Sequence, residues 1–313
     1  MSFLYFLEGL RNPFFDTIFS LITMLGEETA FMAIAIIVFW CFDKFQGYFL
    51  LLTGFLGTII NQFLKMIFRI PRPWVEDPNF TVVDGAKTEA TGFSFPSGHT
   101  QTSVTLFGGV ARANKQKAIR ITAIAICVLV PFSRMYLGVH TPLDVFVSLG
   151  ISLVLIFGGY PLFKKAEKSP KVMYIILGSL ALLVLGYTLF VCLYKFPSEV
   201  YLEVNVHNLE SAQKNAFTMI GCILGIFAVY FVDGKYLKFE TKAVWWAQII
   251  KVVIGLVLVI LVKELMRYPL DFIFNGSLVS RAVRYFLIVI TAGILWPLSF
   301  KWFSKLGANK KQG

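Results

Sequence analysis

Residues 45–68 read FQGYFLLLTGFLGTIINQFLKMIF, a run of membrane-crossing length that ends near a lysine. A helix of about 20 apolar residues spans a hydrocarbon core about 30 Å thick. The same pattern returns at Pro142–Tyr160, Val172–Tyr194, Phe217–Val232, Ala243–Val262 and Ala282–Phe300. Three shorter stretches, Thr29–Phe42, Gly98–Ala111 and Ala118–Ser133, cross only if flared, tilted or buried among neighbours. About nine helices are expected.

Composition agrees. The chain is 57% hydrophobic and 15% charged, with a mean hydropathy of +0.72. Soluble domains are nearer 45–50% apolar and about 25% charged, so the excess must face lipid. The expected fold class is an all-α polytopic membrane protein. Residues 1–26 carry Glu8, Arg11, Pro13 and Asp16 within their apolar pattern. They lack the basic start and clean apolar core of a signal peptide, and read as an amphipathic interfacial helix. Cys41, Cys127, Cys192 and Cys222 are scattered through apolar segments and read as packing residues.

The net charge of +11 does not point to nucleic acid, because of where it falls. Sixteen basic residues, from Lys44 to Lys311, cluster at one set of helix ends against only four acids, Asp43, Glu167, Asp233 and Glu240. By the positive-inside rule that side is cytoplasmic. The loops 69–97, 134–141, 195–214 and 264–280 then face outward. Basic residues set topology and touch anionic lipid.

Three stretches at the first two outward loops look chemical: KMIFRIPRP (65–73), PSGH (96–99) and SRMYLGVHTPLD (133–144). Lys65 and Arg72 lie seven apart, near the end of an apolar helix stopped by prolines. They either snorkel to the interface or hold an anion. Ser97, Gly98 and His99 open a helix whose first N–H groups are expected to point outward, a place that attracts anions. Ser97 is equally an ordinary N-cap. Arg134 ends one helix, and His140 precedes another. Thr141, Pro142 and Asp144 form a near capping box there, while Asp144, four residues after His140, can also accept a proton from its imidazole.

Lys65, Arg72 and Arg134 supply cations for a phosphate monoester, and the arginine forks suit bidentate contact. Such a cage stabilises charge on the equatorial oxygens of a phosphoryl transition state. His140 is placed to attack phosphorus, with His99 as the acid that protonates the leaving alkoxide and then the base that activates water. The cations already neutralise the anion, so this reading calls for no metal and no cofactor. A metal held by His99, His140 and Asp144 is the competing arrangement, opposed by the three cations beside it.

At these residues the chain resembles the type 2 phosphatidic acid phosphatase superfamily, whose pattern is K-x6-RP, PSGH and SR-x5-H-x3-D. Every signature position is filled. The resemblance implies phosphate binding by Lys65, Arg72, Ser97, Gly98 and Arg134. It implies His140 as nucleophile, His99 as acid and Asp144 as the group that orients His140. It also implies a six-helix phosphatase core over residues 1–195, with about three further helices in 196–313. The stretch LGEETAFMAIAIIVFWCFDK (25–44) is similar to the approach to the first motif in sphingosine phosphate phosphatases.

The function expected is hydrolysis of a lipid phosphate or diphosphate on the extracytoplasmic face of a cell membrane. A polyprenyl diphosphate, phosphatidate, phosphatidylglycerol phosphate and a sphingoid phosphate are all eligible, and a homo-oligomer is allowed. A soluble sugar phosphate as substrate, or a silent lipid-phosphate binder or transporter, are the alternatives. In the outward loops of the C-terminal third, His207, Lys263, Glu264, Arg267, Asp271, Arg281 and Arg284 read as interface anchors or as the lining of a substrate groove.

Overall fold

The computed structural model describes residues 1–90, 92–195 and 202–306. Lys310 and Lys311, counted above among the basic residues, lie outside them. In chain order the helices are α1 (Ser2–Glu8), α2 (Pro13–Thr23), α3 (Glu28–Cys41), α4 (Lys44–Phe68), α5 (Pro73–Glu76), α6 (Ala86–Glu89), α7 (Gly98–Ala113) and α8 (Lys117–Tyr136). They continue with α9 (Pro142–Lys168), α10 (Pro170–Leu193), α11 (Leu202–Val232), α12 (Trp245–Leu265), α13 (Arg267–Ile273), α14 (Val279–Ile290) and α15 (Phe300–Lys305). No strand occurs among the described residues.

Each of the nine expected stretches is helical. Among the described residues, six segments are long and apolar enough to cross a membrane: Lys44–Glu76, Lys117–Tyr136, Pro142–Lys168, Pro170–Leu193, His207–Leu237 and Val279–Lys305. The protein is therefore an all-α, multi-pass membrane protein. The sequence places residues 195–214 in a loop, yet helix α11 already starts at Leu202. The single helix expected over residues 1–26 is two helices. Asn12 caps the second by accepting from the Phe15 amide at 3.1 Å, and Pro13 occupies its first turn, where its missing N–H costs nothing. Pro13–Gly26 and Glu28–Cys41 together have the length and apolarity of a seventh span, bent by 54°.

The described residues form two compact units. The first takes in the described parts of Met1–Ala35, Phe49–Lys164 and Ser198–Leu209. Its centre is α7, one of the short helices, buried among neighbours along most of its length. Small residues let helices close around it: a Cβ on Gly57 would meet Gln101 Nε2 at 2.7 Å, and one on Gly109 would meet Leu50 at 2.7 Å. Polar stitching joins α7 to α9. Gln101 donates to Ser152 Oγ at 2.9 Å, and Ser148 Oγ donates to the Ser97 carbonyl at 2.9 Å. These bonds satisfy groups that lipid could not. The N-terminal helices pack on α8, with Leu4 and Leu7 in one core with Phe80, Met135 and Val145.

The second unit takes in the described parts of Ile36–Tyr48, Lys165–Pro197 and Glu210–Gly313. Gly221 and Gly225, one turn apart on α11, bring α14 close enough that a Cβ would strike Ala282 and Val289. Lys251, fully buried on α12, donates to the carbonyls of Trp40 at 2.9 Å and Thr241 at 3.1 Å. Arg281 donates to Thr218 Oγ1 at 2.7 Å, and Asp271 accepts from Ser280 at 2.6 Å, so both have structural partners.

Candidate active site

All eight residues singled out by the motifs fall in the first unit, at the ends of α4, α7, α8 and α9. Arg72 precedes Pro73, and that proline holds it extended (φ −73°, ψ 154°) as the chain leaves α4. From there Nε donates to the Gly92 carbonyl at 3.1 Å, and Nη1 donates to the Val139 carbonyl at 2.9 Å. The same Nη1 lies 2.9 Å from His140 Nε2. Lys65 is only 6% exposed and donates to the Phe93 carbonyl. Neither cation snorkels outward.

His140 reaches its place through Gly138, whose φ of +82° turns the chain sharply out of α8. That Gly is also where Arg11 and Phe80 crowd in, leaving no room for a Cβ. Thr141 and Asp144 form the capping box: the Thr141 amide donates to Asp144 Oδ2 at 2.8 Å, and the Asp144 amide donates to Thr141 Oγ1 at 3.3 Å. The same Oδ2 faces His140 Nδ1 at 3.4 Å. The two sequence readings of Asp144, cap and imidazole partner, are therefore both met by one oxygen.

Ser97 caps α7, its Oγ accepting from the Thr100 amide at 3.4 Å. One expectation needs correction here. The Ser97 N–H is not free, because it donates to the Asp144 carbonyl at 3.1 Å and ties α7 to α9. Gly98 and His99 still open the helix without an intrahelical acceptor for their amides. The His99 ring nitrogen Nε2 is buried with no hydrogen-bond partner among the described residues. Arg134, 1% exposed in the last turn of α8, donates to Thr23 Oγ1 at 2.8 Å.

Electrostatics follow from this crowding. Burial first, and then Arg72, Arg134 and Lys65, hold the His140 imidazole well below its ordinary pKa of 6.5. Burial and the same cations lower His99 in the same way. Three basic side chains, Lys65, Arg72 and Arg134, are buried near one carboxylate, Asp144, an excess of basic groups that suits an anion such as a phosphate monoester. Among the described residues no three His, Cys, Asp or Glu side chains gather as a metal site.

Three contributors escaped the sequence reading. Ser94 donates to Asp144 Oδ2 at 2.6 Å, Thr23 holds Arg134, and Gly26 packs against His99 so closely that a Cβ would sit 3.0 Å from the His99 Cβ. Ser and Thr are too common for either to stand out, and Gly26 lies more than 70 residues from its partner in sequence.

The fold and site define a helical membrane protein with a buried cluster of basic residues around a histidine. Residues 46–168 match the PAP2 superfamily, and residues 217–310 match the transmembrane extension of PAP2 superfamily phosphatases. The chain belongs to this family, the type 2 phosphatidic acid phosphatases. It is 29% identical to undecaprenyl-diphosphatase BcrC of Bacillus subtilis, over 47% of this chain and 74% of that one. It is 28% identical to phosphatidylglycerophosphatase B of the same organism, over 47% of this chain and 75% of that protein. Among solved structures, that of Aquifex aeolicus LpxE is similar at 26% identity, covering 50% of this chain and 91% of its own, with a TM-score of 0.45.

Proposed function

We propose that this protein is an integral membrane phosphatase that hydrolyses a lipid phosphate or lipid diphosphate through a phosphohistidine at His140. Its active site would open on the extracytoplasmic face, opposite the basic helix ends. Residues 1–195 would form the catalytic core, with 196–313 as the extension. The observation that carries this reading is the pair of contacts on His140: Asp144 faces Nδ1 at 3.4 Å, while Arg72 Nη1 lies 2.9 Å from Nε2.

Arg72 is a donor only, so Nε2 is the acceptor nitrogen, and it becomes the attacking atom once Arg72 turns that N–H to a phosphoryl oxygen. As the N–P bond forms, the P–O bond to the departing alcohol or lipid monophosphate breaks, and His99 gives its proton to the departing oxygen. Water then attacks phosphorus, His99 takes the water's proton, and phosphate leaves from a restored His140. Lys65, Arg72, Arg134 and the amides of Gly98 and His99 stabilise the equatorial charge throughout.

Burial and the neighbouring cations lower the pKa of His99, which works against its holding the proton a general acid must give. Substrate removes the conflict. A phosphate's negative charges offset the cations that lower His99, so its affinity for a proton rises when substrate binds.

The relatives' names support an amphiphilic phosphate. They name undecaprenyl diphosphate, phosphatidylglycerophosphate and, in the probable sphingosine-1-phosphate phosphatase of Dictyostelium discoideum, sphingosine 1-phosphate. A phosphate-release screen over these lipids and a sugar phosphate, with His140→Ala as control, tests the proposal. Release from one or more lipids that vanishes in His140→Ala supports it. Release from the sugar phosphate alone, or lipid turnover that survives His140→Ala, overturns it.

A further inference from the structure

A cavity of about 680 Å³ lies in the second unit, on the end that carries Lys44, Lys238 and Lys242. Small-molecule sites run from about 300 to 1,000 Å³, so the volume suits a ligand. Its residues belong to segments that the phosphatase chemistry does not use.

The inner part is aromatic, with Phe45, Tyr48, Tyr230 and Phe239 among its lining. Lys44 and Asp233 also line it, but they satisfy each other: the ion pair is 2.7 Å long, and Asp233 takes the Phe239 amide at 3.0 Å as well. Tyr48 is different. It is only 3% exposed, and its hydroxyl has no hydrogen-bond partner among the described residues. A hydroxyl buried against a cavity wall without a partner is a cost that a ligand oxygen would remove.

The rim carries both signs of charge. Lys238 and Lys242 supply two ammonium groups, and Asp43 and Glu240 supply two carboxylates. Asp43 spends one oxygen on the Gln46 amide at 2.7 Å, leaving the other for a ligand. A purely anionic headgroup would satisfy the lysines and meet the carboxylates with like charge. An ester bearing both a phosphate and an ammonium satisfies all four, while the Phe239 face is already taken by Lys44 Nζ at 3.8 Å.

We infer that this cavity binds a phosphoethanolamine-type zwitterion, its phosphate on Lys238 and Lys242 and its ammonium between Asp43 and Glu240. The Tyr48 hydroxyl donates to an ester oxygen. The ligand comes either as a phospholipid headgroup or as a free ester, and the recognition chemistry is shared.

The test uses the full chain in detergent, with the melting temperature followed during titration by dihexanoyl phosphatidylethanolamine, dihexanoyl phosphatidylglycerol or free phosphoethanolamine. A saturable rise with the ethanolamine lipid, at roughly tenfold lower concentration than with the glycerol lipid, is expected. Free phosphoethanolamine titrating at the same concentration as the lipid assigns a soluble ligand, whereas dependence on the acyl chains assigns a membrane one.

Tyr48→Phe keeps the ring and should weaken binding roughly fivefold to tenfold, the loss of one hydrogen bond. The exposed pair of changes Lys238→Gln and Lys242→Gln should abolish the rise without changing the unliganded melt. His140→Ala should bind as the wild type does, which separates this site from the phosphatase. The inference is overturned if no probe raises the melting temperature or if the glycerol lipid titrates equally well. It is also overturned if the midpoint is unmoved in both cavity variants.

Discussion

Ser94 Oγ donates to Asp144 Oδ2 at 2.6 Å, on the oxygen that also takes the Thr141 amide at 2.8 Å and faces His140 Nδ1 at 3.4 Å. One carboxylate oxygen thus joins the loop before α7, the cap of α9 and the imidazole. Both the serine and the carboxylate are buried, so no water replaces a lost donor.

Ser94→Ala should therefore reduce kcat about tenfold to a hundredfold, the worth of a hydrogen bond to a charged group, with little change in KM. The split arises because Ser94 touches the residue that orients His140 and none of the phosphate-binding cations. Steady-state phosphate release measures both constants. An unchanged kcat would remove Ser94 from the positioning network.

The pH profile follows from the sign of the His140 shift. Burial and its neighbouring cations lower its pKa, so the ring stays neutral until the pH falls below the ordinary 6.5. The acid limb of kcat/KM should lie below that value. In Lys65→Met, which removes one of those cations, the limb should move upward even as the rate falls. A limb that stays in place would show that another group titrates.

Much of the site was legible in the sequence because its chemistry needs rare residues at fixed spacing. Two of the chain's three histidines, His99 and His140, fall within motifs, and Lys65, Arg72 and Arg134 stand out as cations near the ends of apolar helices. The spans were legible for a related reason, since lipid demands apolar length. The N-terminal region was harder. Its break at Asn12–Pro13 depends on one cap, and its place beside His99 depends on tertiary packing that no local pattern encodes. The pairing of the Ser97 amide is not local, because its acceptor, the Asp144 carbonyl, comes from a helix 47 residues further on.

Gly26 tests that packing. A Cβ there would lie 2.8 Å from Val130 Cγ1 and 3.0 Å from both the Cβ and the carbonyl oxygen of His99. Gly26→Ala must displace one side or the other by a few tenths of an ångström. Its kcat should fall about tenfold, because catalysis is steep in the placement of an acid. The thermal melt reports whether folding suffers as well. A folded variant of full activity would show that His99 tolerates movement.

The central claim is that a phosphoryl group passes through His140. Rapid quench of the enzyme with a lipid substrate carrying radioactive phosphate tests it most directly. Alkali-stable, acid-labile label is expected on the denatured chain, mapped to the peptide containing His140 and absent in His140→Ala. Turnover without any labelled protein, or label that persists in His140→Ala, would contradict it.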